Sequence, residues 1–91
     1  MEYQYPIDVE WSQEEMVDVI HFFNRVEDYY EREVDRDDFM NAYRNFKKVI
    51  PGKADEKNIL NDFEKGSGYN SYRAIKRIKN DTETKKFSAN D

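Results

Sequence analysis

Cysteine is absent from this 91-residue sequence, and histidine occurs only once. Without cysteine there is neither a disulfide framework nor a thiolate metal site, which excludes stapled secreted miniproteins and zinc fingers. No apolar run approaches the roughly 18 residues that a membrane span needs, and the acidic start Met1-Glu2-Tyr3 lacks the regions of a signal peptide. We therefore expect a soluble, cytoplasmic protein that makes no membrane contact.

Glycine and proline are scarce as well, with three Gly and two Pro in the chain. The length suits one domain and leaves no room for a second core. Hydrophobic residues make up only 37% of the sequence, but they include six Phe, seven Tyr and one Trp. Because each ring can bury about 150–250 Å², we expect a single core that is built from few but large side chains.

Residues 1–11 alternate between apolar and polar side chains, which predicts an extended segment with one buried side. The sequence shows no second strand candidate, so this segment has no ladder to join. We interpret it as an N-terminal arm that lies across helices. The inward positions would be Tyr3, Tyr5, Ile7, Val9 and Trp11.

Two long helices are predicted next, at about 13–32 and 36–50. Ser12 and Glu15 have the spacing of a capping box, with Trp11 and Met16 as a hydrophobic staple. Asp35 provides the second start signal, and the Pro51-Gly52 pair ends the helix. Trp11 is expected to be substantially buried where the arm meets the first helix.

Two shorter helices follow at about 54–65 and 69–79, with Gly66 predicted to end the first of them. Either Ser67 or Asn70 is expected to cap the last helix. Residues 80–91 contain one large apolar residue and predict a mobile tail. The sequence thus predicts an all-α, four-helix domain over residues 1–79, bundle-like, with an extended arm and a disordered C-terminal tail.

Several blocks of this sequence resemble the uncharacterised protein family 0223, a group of small bacterial proteins. The similarity begins with Glu2 to Asp8, Trp11-Ser12 and Glu14 to Met16, and it continues in the blocks Tyr43-Arg44, Phe46-Lys47, Ile50-Pro51, Lys53-Ala54, Glu56-Lys57, Ser67 to Tyr69 and Tyr72 to Ala74. It spans roughly residues 1–79 and leaves the tail outside. The resemblance implies a compact, all-helical cytosolic domain without an established activity, and it supplies no catalytic residue.

Signals for catalysis or metal binding are incomplete in this chain. Asp18 and His21 have the spacing that helical di-iron sites use, but such sites need the motif on two helices. Lys65 to Gly68 lacks the preceding strand of a phosphate loop, and no Gly-x-Ser-x-Gly elbow occurs. The acids around Asp35 do not match an EF-hand loop, although cation binding at this turn stays open. We predict no catalytic residue, no metal ligand and no cofactor.

Charge is distributed unevenly along the chain. Residues 1–38 contain 13 acidic and 3 basic residues, a net charge of −10, whereas residues 39–91 contain 7 acidic and 12 basic residues, a net charge of +5. One explanation is internal: the basic fourth helix packs beside the acidic first helix, with weak surface ion pairs. The others are a surface for an acidic protein or a second copy of the chain, and a surface for nucleic acid.

The predicted partner-binding surface is therefore the basic side of the fourth helix, at Tyr69, Arg73, Lys76 and Arg77. A protein–protein interaction or small regulatory role without enzymatic activity is the function we expect. RNA binding through the same surface is the alternative, which a net charge of −5 disfavours. A metal-dependent enzyme would need a pocket that gathers His21 with two or more carboxylates.

Overall fold

The computed structural model describes residues 3–90, which form four α-helices and one short antiparallel pair of strands. The all-α, four-helix fold class is confirmed. In chain order the elements are α1 (Gln13–Glu31), β1 (Val34–Asp35), α2 (Arg36–Val49), α3 (Lys53–Ser67), α4 (Ser71–Asn80) and β2 (Lys86–Phe87). No helix in this part of the chain is long and apolar enough to cross a membrane.

Local capping signals explain where three of the helices begin. The Ser12 hydroxyl accepts from the backbone N–H of Glu15, and the Glu15 carboxylate accepts from the backbone N–H of Ser12, which completes the expected capping box. Asp35 caps α2 by accepting from the Asp38 N–H. Of the two residues considered for α4, Asn70 is the cap, since its side chain accepts from the Arg73 N–H.

Helix α3 continues beyond Gly66, where it was expected to end. It ends at Ser67, and Gly68 follows in the left-handed region with a φ of 82°. Only glycine adopts this conformation without a steric penalty, so Gly68 is the residue that ends the helix. Its N–H donates to the carbonyl of Glu64 over 2.7 Å.

The core is a cluster of phenylalanine rings shared by α1, α2 and α3. Phe22 on α1 packs on Phe46 of α2, with 4.7 Å between ring centroids, and Phe23 stacks on Phe63 of α3 at 4.2 Å. All four rings are buried. Large rings thus compensate for the low number of apolar residues, as the composition predicted.

The N-terminal arm is extended, and it lies across the core at its first aromatic residues. Tyr3 and Tyr5 both pack against the Phe63 ring, with centroid distances of 5.9 and 6.1 Å. The alternation predicted from the sequence does not continue to the end of the arm, because Val9 is 89% exposed. The chain turns there, and the Trp11 N–H donates to the Asp8 carbonyl. Trp11 itself is half-buried against the core.

The expectation of a mobile tail over residues 80–91 does not hold in the part that the structure describes. Strand β2 pairs with β1, so that Val34 lies opposite Phe87. The Phe87 ring is 1% exposed and belongs to the hydrophobic core. One buried aromatic ring, together with backbone hydrogen bonds to β1 and Tyr29, offsets the ordering cost of this polar segment. Asp91, like Met1 and Glu2 of the arm, lies outside the described residues.

Candidate functional site

Helix α4 presents one exposed face that combines cations with an aromatic ring. Tyr72, Lys76 and Lys79 follow one another at helical spacing, and Arg73 lies beside them. All four side chains are exposed, with Tyr72 at 41%. Within residues 3–90 none of the three cations takes part in an ion pair. This set of residues is called the α4 basic face below.

Arg77 differs from the other predicted partner-binding residues, because it contacts the protein's own C-terminal segment. Its guanidinium donates to the Ser88 carbonyl over 2.7 Å and to the Tyr29 hydroxyl over 3.0 Å. It also lies over the rings of Tyr29 and Phe87, at 5.7 and 5.6 Å from their centroids. Arg77 therefore joins α1, α4 and β2, and its replacement would disturb the fold as well as any binding surface.

Tyr69 precedes α4 and contacts α1. Its ring stacks on Tyr30 with 4.9 Å between centroids, and its hydroxyl donates to the Glu31 carboxylate over 2.7 Å. Tyr69 therefore lines a cleft between α1 and the arm. The assignment of Tyr69 and Arg77 to a partner surface stays a prediction.

The C-terminal end of α4 is held by Arg36, the first residue of α2. Its guanidinium Nε donates to the carbonyls of Asp81 and Ile78 over 2.9 and 3.2 Å. A cation at the last turn satisfies free carbonyls and interacts favourably with the helix dipole. Together with the Asn70 cap, this contact fixes both ends of the helix that carries the basic face.

The expected ion pairs between the acidic α1 and the basic α4 are absent from the described residues. Two of the three ion pairs connect Asp28 with Arg25 and Arg32, and the third joins Lys47 of α2 to Glu56 of α3. Polar contacts between α1 and the α4 region come instead from tyrosine hydroxyls, including Tyr29 with Arg77. Internal charge pairing therefore does not account for the cations of the α4 basic face.

A second candidate site, which the sequence did not predict, is a cleft between the arm, α1 and the α3–α4 turn. This tyrosine–glutamate cleft has a volume of about 800 Å³ and is lined by Tyr3, Gln4, Tyr5, Glu27, Glu31, Ser67 and Tyr69. The Glu27 carboxylate accepts from the hydroxyls of Tyr3 and Tyr5 and from the Asn24 amide. Its chemistry is that of hydrogen-bonded phenols beside carboxylates.

The phenols of this cleft are harder to ionise than an ordinary tyrosine. Burial, followed by the hydrogen bond to Glu27, raises the pKa of Tyr5 to about 12. The same two causes raise the pKa of Tyr3, and the hydrogen bond to Glu31 is the main cause of the raised pKa of Tyr69. A carboxylate beside a phenol disfavours the phenolate, because two negative charges would then face each other.

The sequence contained only part of the signal for this cleft. Alternation in the arm placed Tyr3 and Tyr5 on the inward side, but no sequence pattern connected them with Glu27 or Glu31. They meet the tyrosines only after the chain folds, since Tyr3 and Glu27 are 24 positions apart and Tyr69 and Glu31 are 38 apart.

The residues considered for metal binding do not converge in the described structure. His21 is exposed, and its Nε2 lies 2.9 Å from an Arg25 guanidinium nitrogen. Because arginine only donates, Nε2 accepts this hydrogen bond. Asp35 uses its carboxylate to cap α2. Within residues 3–90 no group of three or more His, Cys, Asp or Glu residues is arranged to hold a metal ion.

Fold and surfaces together define a small helical protein with an exposed basic helix face and a cleft rich in hydrogen-bond acceptors. Residues 2–87 match the model of an uncharacterised protein family, UPF0223. The UPF0223 protein SH1855 of Staphylococcus haemolyticus is 54% identical over 89 residues, which cover 98% of this chain and 99% of that protein. A UPF0223 protein of Staphylococcus aureus strain Newman is 56% identical over 89 residues, with 98% of each chain covered.

The chain belongs to the UPF0223 family, as the resemblance indicated. The resemblance was expected to end near residue 79, but the family match continues to residue 87 and includes Phe87. The C-terminal segment is therefore part of the family's domain, in agreement with its place in the core.

Proposed function

We propose that this protein acts in the cytoplasm as a non-enzymatic protein-binding domain, and that its α4 basic face contacts an acidic surface of the partner. The observation that carries the proposal is the exposed combination of Tyr72, Arg73, Lys76 and Lys79, whose cations have no ion-pair partner within residues 3–90. Aromatic and arginine side chains are enriched in protein interfaces. Opposite charge would accelerate association and orient the partner.

The rigid setting of α4 supports this role. Ala74, Ile75 and Ile78 bury the opposite side of the helix, so the face is presented at a fixed angle. Capping by Asn70 and Arg36 holds its two ends. A binding surface on an anchored helix loses little conformational entropy when a partner docks.

The test is a charge reversal that leaves Arg77 intact, because Arg77 holds the C-terminal segment. The variant is Arg73→Glu with Lys76→Glu, and the matched control is Lys53→Glu with Lys57→Glu, which places the same charge change on exposed positions of α3. Each tagged protein is used for quantitative affinity purification from its own host. We expect the α4 variant to capture about tenfold less of a specific partner than the wild type, since like charges at a docking surface repel.

The control should capture the partner as the wild type does, with equal helical content by circular dichroism in all three proteins. Unchanged capture by the α4 variant would refute the proposal. Retention of the wild type on immobilised RNA, with steep loss as salt rises, would assign the same face to nucleic acid instead.

A further inference from the structure

The tyrosine–glutamate cleft differs from the rest of the surface in what it offers a ligand. Its two carboxylates, Glu27 and Glu31, accept hydrogen bonds from phenols and an amide, and neither takes part in an ion pair within residues 3–90. No lysine or arginine of the described chain lines the cleft. Among the described residues, the two negative charges therefore share this concave site with no cationic lining residue.

The hydrogen-bonding capacity that is left in the cleft is mostly that of acceptors. The hydroxyl protons of Tyr3, Tyr5 and Tyr69 are donated to carboxylates, and the Tyr5 oxygen already accepts from the Asn24 amide over 2.9 Å. The hydroxyl oxygens of Tyr3 and Tyr69 can therefore offer only lone pairs to a ligand. The second carboxylate oxygen of Glu31, Oε1, accepts no hydrogen bond from any described residue and can still accept one. Ser67 uses its hydroxyl proton on the Phe63 carbonyl. A ligand that fits must supply several N–H or O–H donors and a positive charge.

The cleft also has apolar walls beside its acceptors. Tyr69 is stacked on Tyr30, and the Tyr3 and Tyr5 rings meet edge to face at 5.9 Å. Rings of this kind favour the methylene groups next to a cation and interact with its charge. A small inorganic ion has no aliphatic stem to pack against these walls, whereas an alkylammonium group presents three donors, one charge and such a stem.

We propose that the tyrosine–glutamate cleft binds a primary alkylammonium group, carried by a free polyamine or by a lysine side chain of another protein. Glu31 and the Tyr69 hydroxyl accept from the ammonium group, and Glu27 adds long-range attraction. This site is separate from the α4 basic face, so either proposal can fail without the other.

The experiment titrates the full-length protein with spermidine and, in a second arm, with N-acetyl-lysine amide, and follows backbone amide shifts by NMR at constant ionic strength. The variants are Glu31→Gln and Tyr69→Phe, which keep the shape of the cleft. Their matched controls are Glu33→Gln and Tyr72→Phe, exposed residues outside the cleft. We expect saturable shifts that are centred on residues 27–31 and 67–69.

Loss of a charge-assisted hydrogen bond in Glu31→Gln should weaken binding by about tenfold, with Glu33→Gln close to wild type. Saturation by spermidine alone would support a polyamine ligand, and saturation by the lysine derivative as well would support a side-chain ligand. No saturable shift with either probe would overturn the proposal. Equal weakening by Glu33→Gln, or the same shifts with potassium ions, would also overturn it, since diffuse attraction would then explain the effect.

Discussion

Ser67 and Ser71 are two buried hydroxyls at the α3–α4 junction, and their surroundings differ. Ser67 donates to the Phe63 carbonyl over 2.7 Å and accepts from the Tyr69 N–H. The Ser71 hydroxyl has no hydrogen-bond partner among the described residues. A buried hydroxyl without a partner destabilises the folded state, whereas a satisfied one stabilises it modestly.

We therefore expect Ser71→Ala to increase the free energy of unfolding by up to about 1 kcal/mol, and Ser67→Ala to decrease it by about 1 kcal/mol. Urea denaturation followed by circular dichroism measures both values. The two substitutions remove the same atom from buried sites, so each is a control for the other. A similar loss of stability in both variants would contradict this account of Ser71.

Tyr5 supplies a pH dependence whose sign follows from its pKa. Its pKa is raised to about 12 in the folded protein, against an ordinary value of about 10 in an unfolded chain. Because the folded state favours the neutral phenol, this contribution to stability is complete below about pH 10 and is lost as pH rises to about 12. The arm should therefore separate from α1 at strongly alkaline pH.

Absorbance at 295 nm reports tyrosinate formation and can be compared with urea stability measured from pH 9 to 12. We expect Tyr5 to ionise late, with a parallel loss of stability. In the variant Glu27→Gln, Tyr5 should ionise at lower pH than in the wild type, since the Glu27 carboxylate is one cause of the raised pKa of Tyr5. Identical titration curves for the two proteins would contradict the role of Glu27.

At the scale of elements, the short β1–β2 ribbon ties the C-terminal segment to the helices. Phe87 lies in the core opposite Val34. The Arg77 guanidinium donates to the carbonyl of Ser88, the residue after Phe87. The turn before β2 is closed by Asp81, whose carboxylate accepts from the N–H groups of Glu83 and Thr84. These hydrogen bonds, chiefly those from Thr84, lower the pKa of Asp81.

Phe87→Ala should lower the free energy of unfolding by about 3 kcal/mol, as expected for the loss of a fully buried phenylalanine. The neighbouring Lys86 is exposed, so Lys86→Ala should change stability by less than about 0.5 kcal/mol. Chemical denaturation of both variants is the measurement. Equal stabilities for wild type and Phe87→Ala would show that the segment is a mobile tail after all.

At the scale of the whole molecule, a net charge of −5 stands against few ion pairs among the described residues. Residues 1–38 carry a net charge of −10, and the described residues form three ion pairs, two of which share Asp28. Pairs on the surface contribute little, whereas an excess of one charge destabilises the compact state through repulsion. Salt screens both effects, and we expect the screening of repulsion to dominate because the chain carries a net charge of −5.

We therefore expect the melting temperature to rise by about 3 °C between 20 and 300 mM NaCl, equivalent to roughly 0.5 kcal/mol for a domain of this size. Differential scanning calorimetry measures this change. KCl should give the same increase as NaCl, which identifies screening as the cause. A melting temperature that falls with salt would mean that ion pairs dominate.

The features that could be predicted from the sequence depend on residues close together in the chain. Ser12 with Glu15, and Asp35 with Asp38, are cap contacts three positions apart, so the starts of α1 and α2 are encoded locally. The Pro51-Gly52 pair likewise marked the end of α2. These local signals were sufficient for the helical fold class and for the basic composition of α4.

The features that were missed depend on contacts between distant parts of the chain. Phe87 is a single ring in a polar segment, and nothing near it indicates that Val34 is its strand partner. Arg77 looked like one more surface cation until folding brought it to Tyr29, 48 positions away. The cleft arises in the same way, since Glu27 accepts from Tyr5 of the N-terminal arm and Glu31 accepts from Tyr69, which follows α3.

Helix caps thus follow from the order of residues, because the interactions that specify them act within one turn, and the charge layout along the chain is read from the sequence directly. The role of each charged side chain follows from packing. Arg36 and Arg77 hold the C-terminal segment, whereas Arg73 and Lys76 are left exposed to a partner. Side chains of the same charge differ in this way because a hydrogen bond requires the partner atom to lie within about 3 Å, and only the folded chain brings distant atoms that close.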